Sequence, residues 1–95
     1  MEYVNIPRSE DRTVILEYKE SFQSDTTQKL VDRYNREAKM GIVAVHRQGL
    51  FLIALHLEFL ERFDKSPLGI KDSIAISLKG QIKYVERDDT FTYVD

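Results

Sequence analysis

TVILEYK, residues 13–19, alternates apolar and polar side chains. Val14, Leu16 and Tyr18 share one face of an extended chain, with Thr13, Glu17 and Lys19 mainly on the other. Period-two alternation marks a half-buried strand, so the chain is expected to enter its core as β-structure. SFQSDTTQ follows, where Ser24 or Asp25 can cap a helix and Gln28 stands three after Asp25 in a loose capping-box pattern. Helical periodicity then runs to Phe63 and stops at DKSPLG, where Pro67 and Gly69 break it.

Within that helical third, Val31, Tyr34, Ala38, Ile42, Val45, Gly49, Ile53, His56, Leu60 and Phe63 stay on one face at 100° per residue. One uninterrupted helix over 26–63 would be about 57 Å long, nearly twice the diameter of a compact chain of this length. A break near Gly41 or Gly49 is therefore expected, each interior glycine costing about 1 kcal/mol. The β-branched IVAV, residues 42–45, leaves helix, loop and strand open over 41–46.

The last third reads as strands. Residues 73–79 put Ile74, Ile76 and Leu78 on one face, residues 81–87 put Ile82 and Tyr84 there, and a third run covers 91–94. Lys79-Gly80 suits a tight hairpin turn and RDDT a second one. Short links between strands imply antiparallel pairing. The expected fold is α+β, with a four-stranded, mainly antiparallel sheet, two helices on one of its faces, and the order β-α-α-β-β-β.

Ninety-five residues make a single domain spanning 1–95, and 42% hydrophobic with 32% charged residues is globular composition. Fourteen Lys and Arg against sixteen Asp and Glu leave a net charge of −2, so no global field draws the chain to nucleic acid or to anionic membranes. Without cysteine, disulfides and thiolate chemistry are excluded. MEYVNIPRSEDR has no apolar run of the signal-peptide kind, and Leu50–Leu57 is far short of the roughly 20 residues a membrane span requires. A soluble, cytoplasmic protein that binds neither membrane nor nucleic acid is expected.

HRQGLFLIALHLEF, residues 46–59, is the most apolar stretch, yet it holds both histidines. His46 and His56 would stand about 15 Å apart on one helix, too far to share an ion at Zn–N distances near 2 Å. No HExxH pattern accompanies them. Both are read as core histidines, with no metal and no cofactor expected. Glu86, Asp88 and Asp89 cluster in ERDD, but without the spacing of a calcium loop they read as a turn.

Lys29, Arg33, Arg36 and Arg47 fall within about 60° of one another opposite the apolar face, a stripe able to grip an anion. Asp32–Arg36 and Arg33–Glu37 have the spacing for ion pairs along that face. A second ridge, Leu52, Leu55 and Phe59 at i, i+3 and i+7, with Phe51 opposite the core, makes the second helix apolar nearly all round. Left bare, that ridge would need a partner, so Phe51, Leu52, Leu55 and Phe59 are the expected interface of a homodimer.

No phosphate-binding glycine loop, nucleophile elbow or cysteine nucleophile is present, and no catalytic residue stands out. The leading functional expectation is a non-catalytic, self-associating module that acts through protein–protein contacts. The alternative is a small-ligand or anion-binding protein using the basic helix face or a helix–sheet cleft. An enzyme with a histidine general base comes third.

Overall fold

The computed structural model describes residues 2–3, 9–42, 46–71 and 75–94. After a two-residue strand β1 (Glu2–Tyr3) come three helices, α1 (Ser9–Phe22), α2 (Thr27–Met40) and α3 (His46–Phe63). Four strands follow: β2 (Leu68–Lys71), β3 (Ala75–Leu78), β4 (Ile82–Val85) and β5 (Thr90–Tyr93), with a 3₁₀ turn at Glu86–Asp88. The Cα radius of gyration is 12.7 Å and the extents are 39 × 27 × 20 Å. Among the described residues, no helix is long and apolar enough to cross a membrane.

The expected β-α-α-β-β-β order is corrected at its first element, because residues 13–19 lie inside α1. Val14 and Tyr18 are four apart, so periods of 2 and 3.6 both place them together. The residues between them distinguish the two periods. Leu16, which a strand would bury, is 65% exposed, whereas Ile15 is 9% exposed. Asp11, Ile15, Tyr18 and Phe22, at i, i+4, i+7 and i+11, form the inward stripe of a helix.

α1 packs lengthwise on α3. The Phe51 ring of α3 meets Tyr18 edge-on at 5.4 Å and Phe22 at 5.7 Å. Farther along the contact, Glu58, only 3% exposed, accepts from Gln23 Nε2 at 3.0 Å and from Arg62 Nε at 2.7 Å. Lys19 pairs with Glu61 and lies 3.6 Å from Glu58. Arg62 also donates to the carbonyls of Phe22 and Asp25 and to Thr27 Oγ1. One guanidinium thus satisfies carbonyls at the end of α1 that the helix itself cannot.

The break between helices falls at Gly41. Its φ of +82° lies in the region glycine tolerates, and its N–H closes α2 on Glu37 O at 2.8 Å. Gly49, the other expected break point, is buried inside α3. His46 opens α3, and residues 43–45, with the Val45 of the expected helix face, lie outside the described residues. At its other end α2 is capped by Thr26, whose Oγ1 accepts from Lys29 N–H at 3.1 Å, rather than by Ser24 or Asp25.

The single four-stranded sheet is also corrected, to two separate antiparallel sheets. β2 pairs with β3 from Leu68↔Leu78 to Lys71↔Ala75, and β1 lies on the other side of β3. β4 and β5 pair separately, from Ile82↔Tyr93 to Val85↔Thr90. The expected Lys79-Gly80 hairpin does not form: β3 pairs with β2 and β1, and β4 pairs with β5. β2 emerges immediately after Pro67, a segment the sequence presents as a helix stop. At Gly69 a Cβ would come within 2.7 Å of Ser77 Oγ, so a larger residue there would need that hydroxyl to turn away.

α2 substitutes for a strand partner at β4. Asn35 donates from Nδ2 to Ile82 O at 2.7 Å and accepts from Ile82 N–H at 2.8 Å. Beside it, Tyr34 is fully buried and donates to Gly80 O at 2.7 Å; burial pushes the phenol up to about 12, so it stays a donor at ordinary pH. The RDDT turn forms as expected. Asp89 sits in the left-handed region at φ +49° and accepts from Tyr84 Oη at 2.8 Å.

These corrections remove the expected dimer ridge. Leu52, Leu55 and Phe59 are fully buried within the chain, and Phe51 is 9% exposed. α1 covers Phe51, while Phe59 packs on Tyr34, Phe63 and Phe91. α1, α2 and β5 together supply the cover that a second subunit is expected to give. Leu60, expected in the core, is 40% exposed.

Candidate functional site

Where α1, α2 and the start of α3 converge, a cleft of about 290 Å³ opens, lined by Tyr18, Arg33, Arg36, Glu37, Arg47, Gln48 and Phe51. α2 presents Arg33, Arg36 and Glu37 on successive turns of one face, α3 presents Arg47, Gln48 and Phe51, and α1 supplies Tyr18. Three of the four residues of the basic stripe are brought together here. The fourth, Lys29, is turned to Asp25 at 3.2 Å, is 62% exposed at its side chain, and is not part of the lining.

The expected ion pairs along α2 are replaced by others. Asp32 accepts from Gln28 Nε2 at 2.9 Å, Arg33 Nη1 reaches Asp25 Oδ2 at 3.3 Å, and Glu37 Oε2 accepts from Gln48 Nε2 at 3.1 Å. Among the described residues, Arg36 and Arg47 have no carboxylate partner. Their charges are therefore available to something else.

Two of the guanidiniums rest on aromatic rings. Arg33 Cζ lies 4.8 Å from the Phe51 centroid and 5.4 Å from that of Phe22, and Arg47 Cζ lies 5.5 Å from that of Tyr18. Seating a guanidinium on a ring restricts its rotation and leaves its N–H edge free for an acceptor. The rings themselves interlock, Tyr18 and Phe51 at 84° and Phe22 and Phe51 at 81°. The floor under the cations is thus part of the core and is rigid for that reason. The first turn of α3 carries no acidic residue, so the positive end of its dipole adds to the same field.

Gln48 ties Glu37 to the end of α2. Its amide donates to Glu37 Oε2 and to Gly41 O at 3.2 Å, which satisfies a carbonyl at the end of α2. Glu37 is the one carboxylate of the lining.

The two histidines separate. His46, expected in the core, has a side chain 52% exposed at the start of α3, with Nε2 2.9 Å from Asp11 Oδ1. Asp11 is 7% exposed, and its Oδ2 has no hydrogen-bond partner among the described residues. His56 is half-buried and its Nδ1 lies 2.9 Å from Ser66 Oγ, which itself accepts from Leu68 N–H at 3.1 Å. Burial lowers its pKa, so the neutral ring pins the segment that leads into β2. Neither histidine lines the cleft.

Tyr18, Phe51, Glu37 and Gln48 are the lining residues that the stripe of cations alone does not reveal. The alternation of TVILEYK puts Tyr18 in a strand and the apolar ridge puts Phe51 at a subunit contact, so neither is expected beside the cations. The rings under Arg33 and Arg47 come from other helices, so the pairing is visible only once the three helices are in place. Comparison with known proteins finds no family model, no curated protein and no solved structure that matches the chain.

Proposed function

We propose that the chain is a non-catalytic binding module whose ligand is anionic and enters the cleft between α1, α2 and α3. The observation that carries this reading is the convergence of Arg33, Arg36 and Arg47 on one concave site, two of them seated on core aromatic rings. A chain of net charge −2 would otherwise disperse such cations among its carboxylates. The volume of about 290 Å³ lies at the small end of ligand pockets, which suits a compact ion or one charged group of a larger partner. The leading expectation, self-association, rests on a bare ridge of Leu52, Leu55 and Phe59, and those side chains are buried in the chain's own core.

Isotope-labelled protein titrated with acetate, sulfate and phosphate at constant ionic strength tests the reading. The Arg36 and Arg47 guanidinium signals and the Gln48 amide are expected to shift together and saturate. The shifts should vanish in Arg47→Glu while the rest of the spectrum keeps its dispersion. Titrations that move none of these signals, or that move them equally in the variant, would refute an anion site.

A further inference from the structure

We infer that the group this cleft recognises is a phosphate monoester in its dianionic form. The inference rests on the anion-binding reading and narrows it to one chemistry. Three guanidiniums less the single carboxylate Glu37 leave the lining two positive charges. Asp25 lies 3.3 Å from Arg33 and 3.2 Å from Lys29, so adding that carboxylate and that cation to the count leaves the same surplus of two, and Arg36 and Arg47 have no carboxylate partner among the described residues. A carboxylate or a sulfate ester would neutralise one of these charges and leave the other without a counterion. A phosphate monoester carries about −1.5 to −2 at pH 7 and presents three acceptor oxygens, which matches two forked donors.

The walls point to the same group. The faces of Tyr18 and Phe51 that an aromatic ligand would stack on are already taken by Arg47 and Arg33. Little apolar surface is left to hold a ligand's body, so recognition falls on the charged head. Gln48, the neutral polar side chain of the lining, gives amide donors to Glu37 and Gly41. Glu37 receives one of those donors on Oε2, and its other oxygen can accept from a hydroxyl or amide N–H beside the phosphate. An ester with no hydroxyl or amide N–H beside the phosphate lacks that second handle. A phosphorylated hydroxy compound and a phosphoserine within a chain both have it.

The test compares methyl phosphate with methyl sulfate and acetate by calorimetry on the full chain at pH 7.5. The first two probes have nearly the same shape and differ by one charge. Methyl phosphate is expected to bind at least ten-fold tighter than either monoanion, and to lose that advantage as pH falls through about 6, where the ester takes up a proton. Arg36→Gln and Arg47→Gln should each erase most of the ten-fold preference, while Lys29→Gln, outside the cleft, should leave it unchanged. Both cleft arginines are exposed and have no ion partner among the described residues, so the variants should keep the parent's unfolding midpoint to within a few degrees.

Equal binding of all three probes, abolished by Arg47→Glu, would overturn the dianion inference and leave the anion site standing. Absence of any binding would overturn both. Glycerol phosphate and a short phosphoserine peptide distinguish the two sources of the ester. A preference for either supports the inference and tells whether the phosphate arrives on a small molecule or on a partner's side chain.

Discussion

Replacing Glu58 by alanine perturbs the most heavily engaged charge in the core. The carboxylate is 3% exposed and receives Arg62 Nε at 2.7 Å and Gln23 Nε2 at 3.0 Å, with Lys19 3.6 Å away. Deleting one partner of a buried pair typically costs about 3–5 kcal/mol, because the remaining charge keeps its desolvation penalty. Arg62 would retain the carbonyls of Phe22 and Asp25 and the hydroxyl of Thr27, and Gln23 is exposed enough to turn to water. The loss should therefore sit at the lower end, about 3 kcal/mol, against a total stability of about 5–14 kcal/mol for a chain of this length. Glu58→Gln keeps an oxygen acceptor and should cost about 1–2 kcal/mol. Urea titration with an unchanged m-value measures both, and a double-mutant cycle with Arg62→Ala isolates the pair, with an expected coupling above about 1 kcal/mol. A loss under 1 kcal/mol in Glu58→Ala, or a coupling near zero, would show that α1 is held by its aromatic contacts alone.

Three further outcomes follow from the same contacts. The folded state lowers the pKa of His56 from its ordinary 6.5, mainly through burial, so below 6.5 the unfolded chain binds the extra proton. The His56 contribution is complete above that value and is lost as pH falls toward the depressed one; urea midpoints should drop over this window in the parent and drop less in His56→Gln. Asn35→Ala removes both bonds to Ile82 and should cost about 2 kcal/mol, with amide exchange at Ile82 rising more than at Phe91; equal protection of both would refute the strand-mimic role. Leu55→Glu places an unpaired carboxylate at a fully buried position and should unfold most of the chain; a well-dispersed spectrum from that variant would mean α3 does not face the core as described.

What could be read of the fold from the residues depended on the length of the pattern. α3 has 18 residues and a continuous apolar character, so its existence and its stop before Pro67 were plain. The turn before β5 was equally plain, because Asp at φ +49° and the adjacent acidic residues are a local signal. α1 was not, since over seven residues Val14 and Tyr18 satisfy both periods, and only Asp11 and Phe22, outside that window, extend the helical one. The division into two sheets was beyond reach for a different reason. Whether β4 joins β3 depends on which edges of β3 are free, and that is fixed by β2 and β1, one hidden behind a proline and the other two residues long.

The cleft is a consequence of the same misread helix. As a list of cations, Lys29, Arg33, Arg36 and Arg47 are equally consistent with a solvated face, and the i,i+4 carboxylates favour that reading. α1 changes the outcome by bringing Tyr18 and Phe22 against Phe51, which gives Arg33 and Arg47 rings to sit on. Asp25, positioned just before the Thr26 cap, takes Lys29 and part of Arg33, and Gln48 takes Glu37. Asp32 turns to Gln28, so Arg36 and Arg47 are left without a carboxylate partner among the described residues, facing a concave space. α1 therefore both covers Phe51, part of the expected subunit contact, and supplies a wall of the cleft, and these two contacts are the grounds for proposing anion binding rather than self-association.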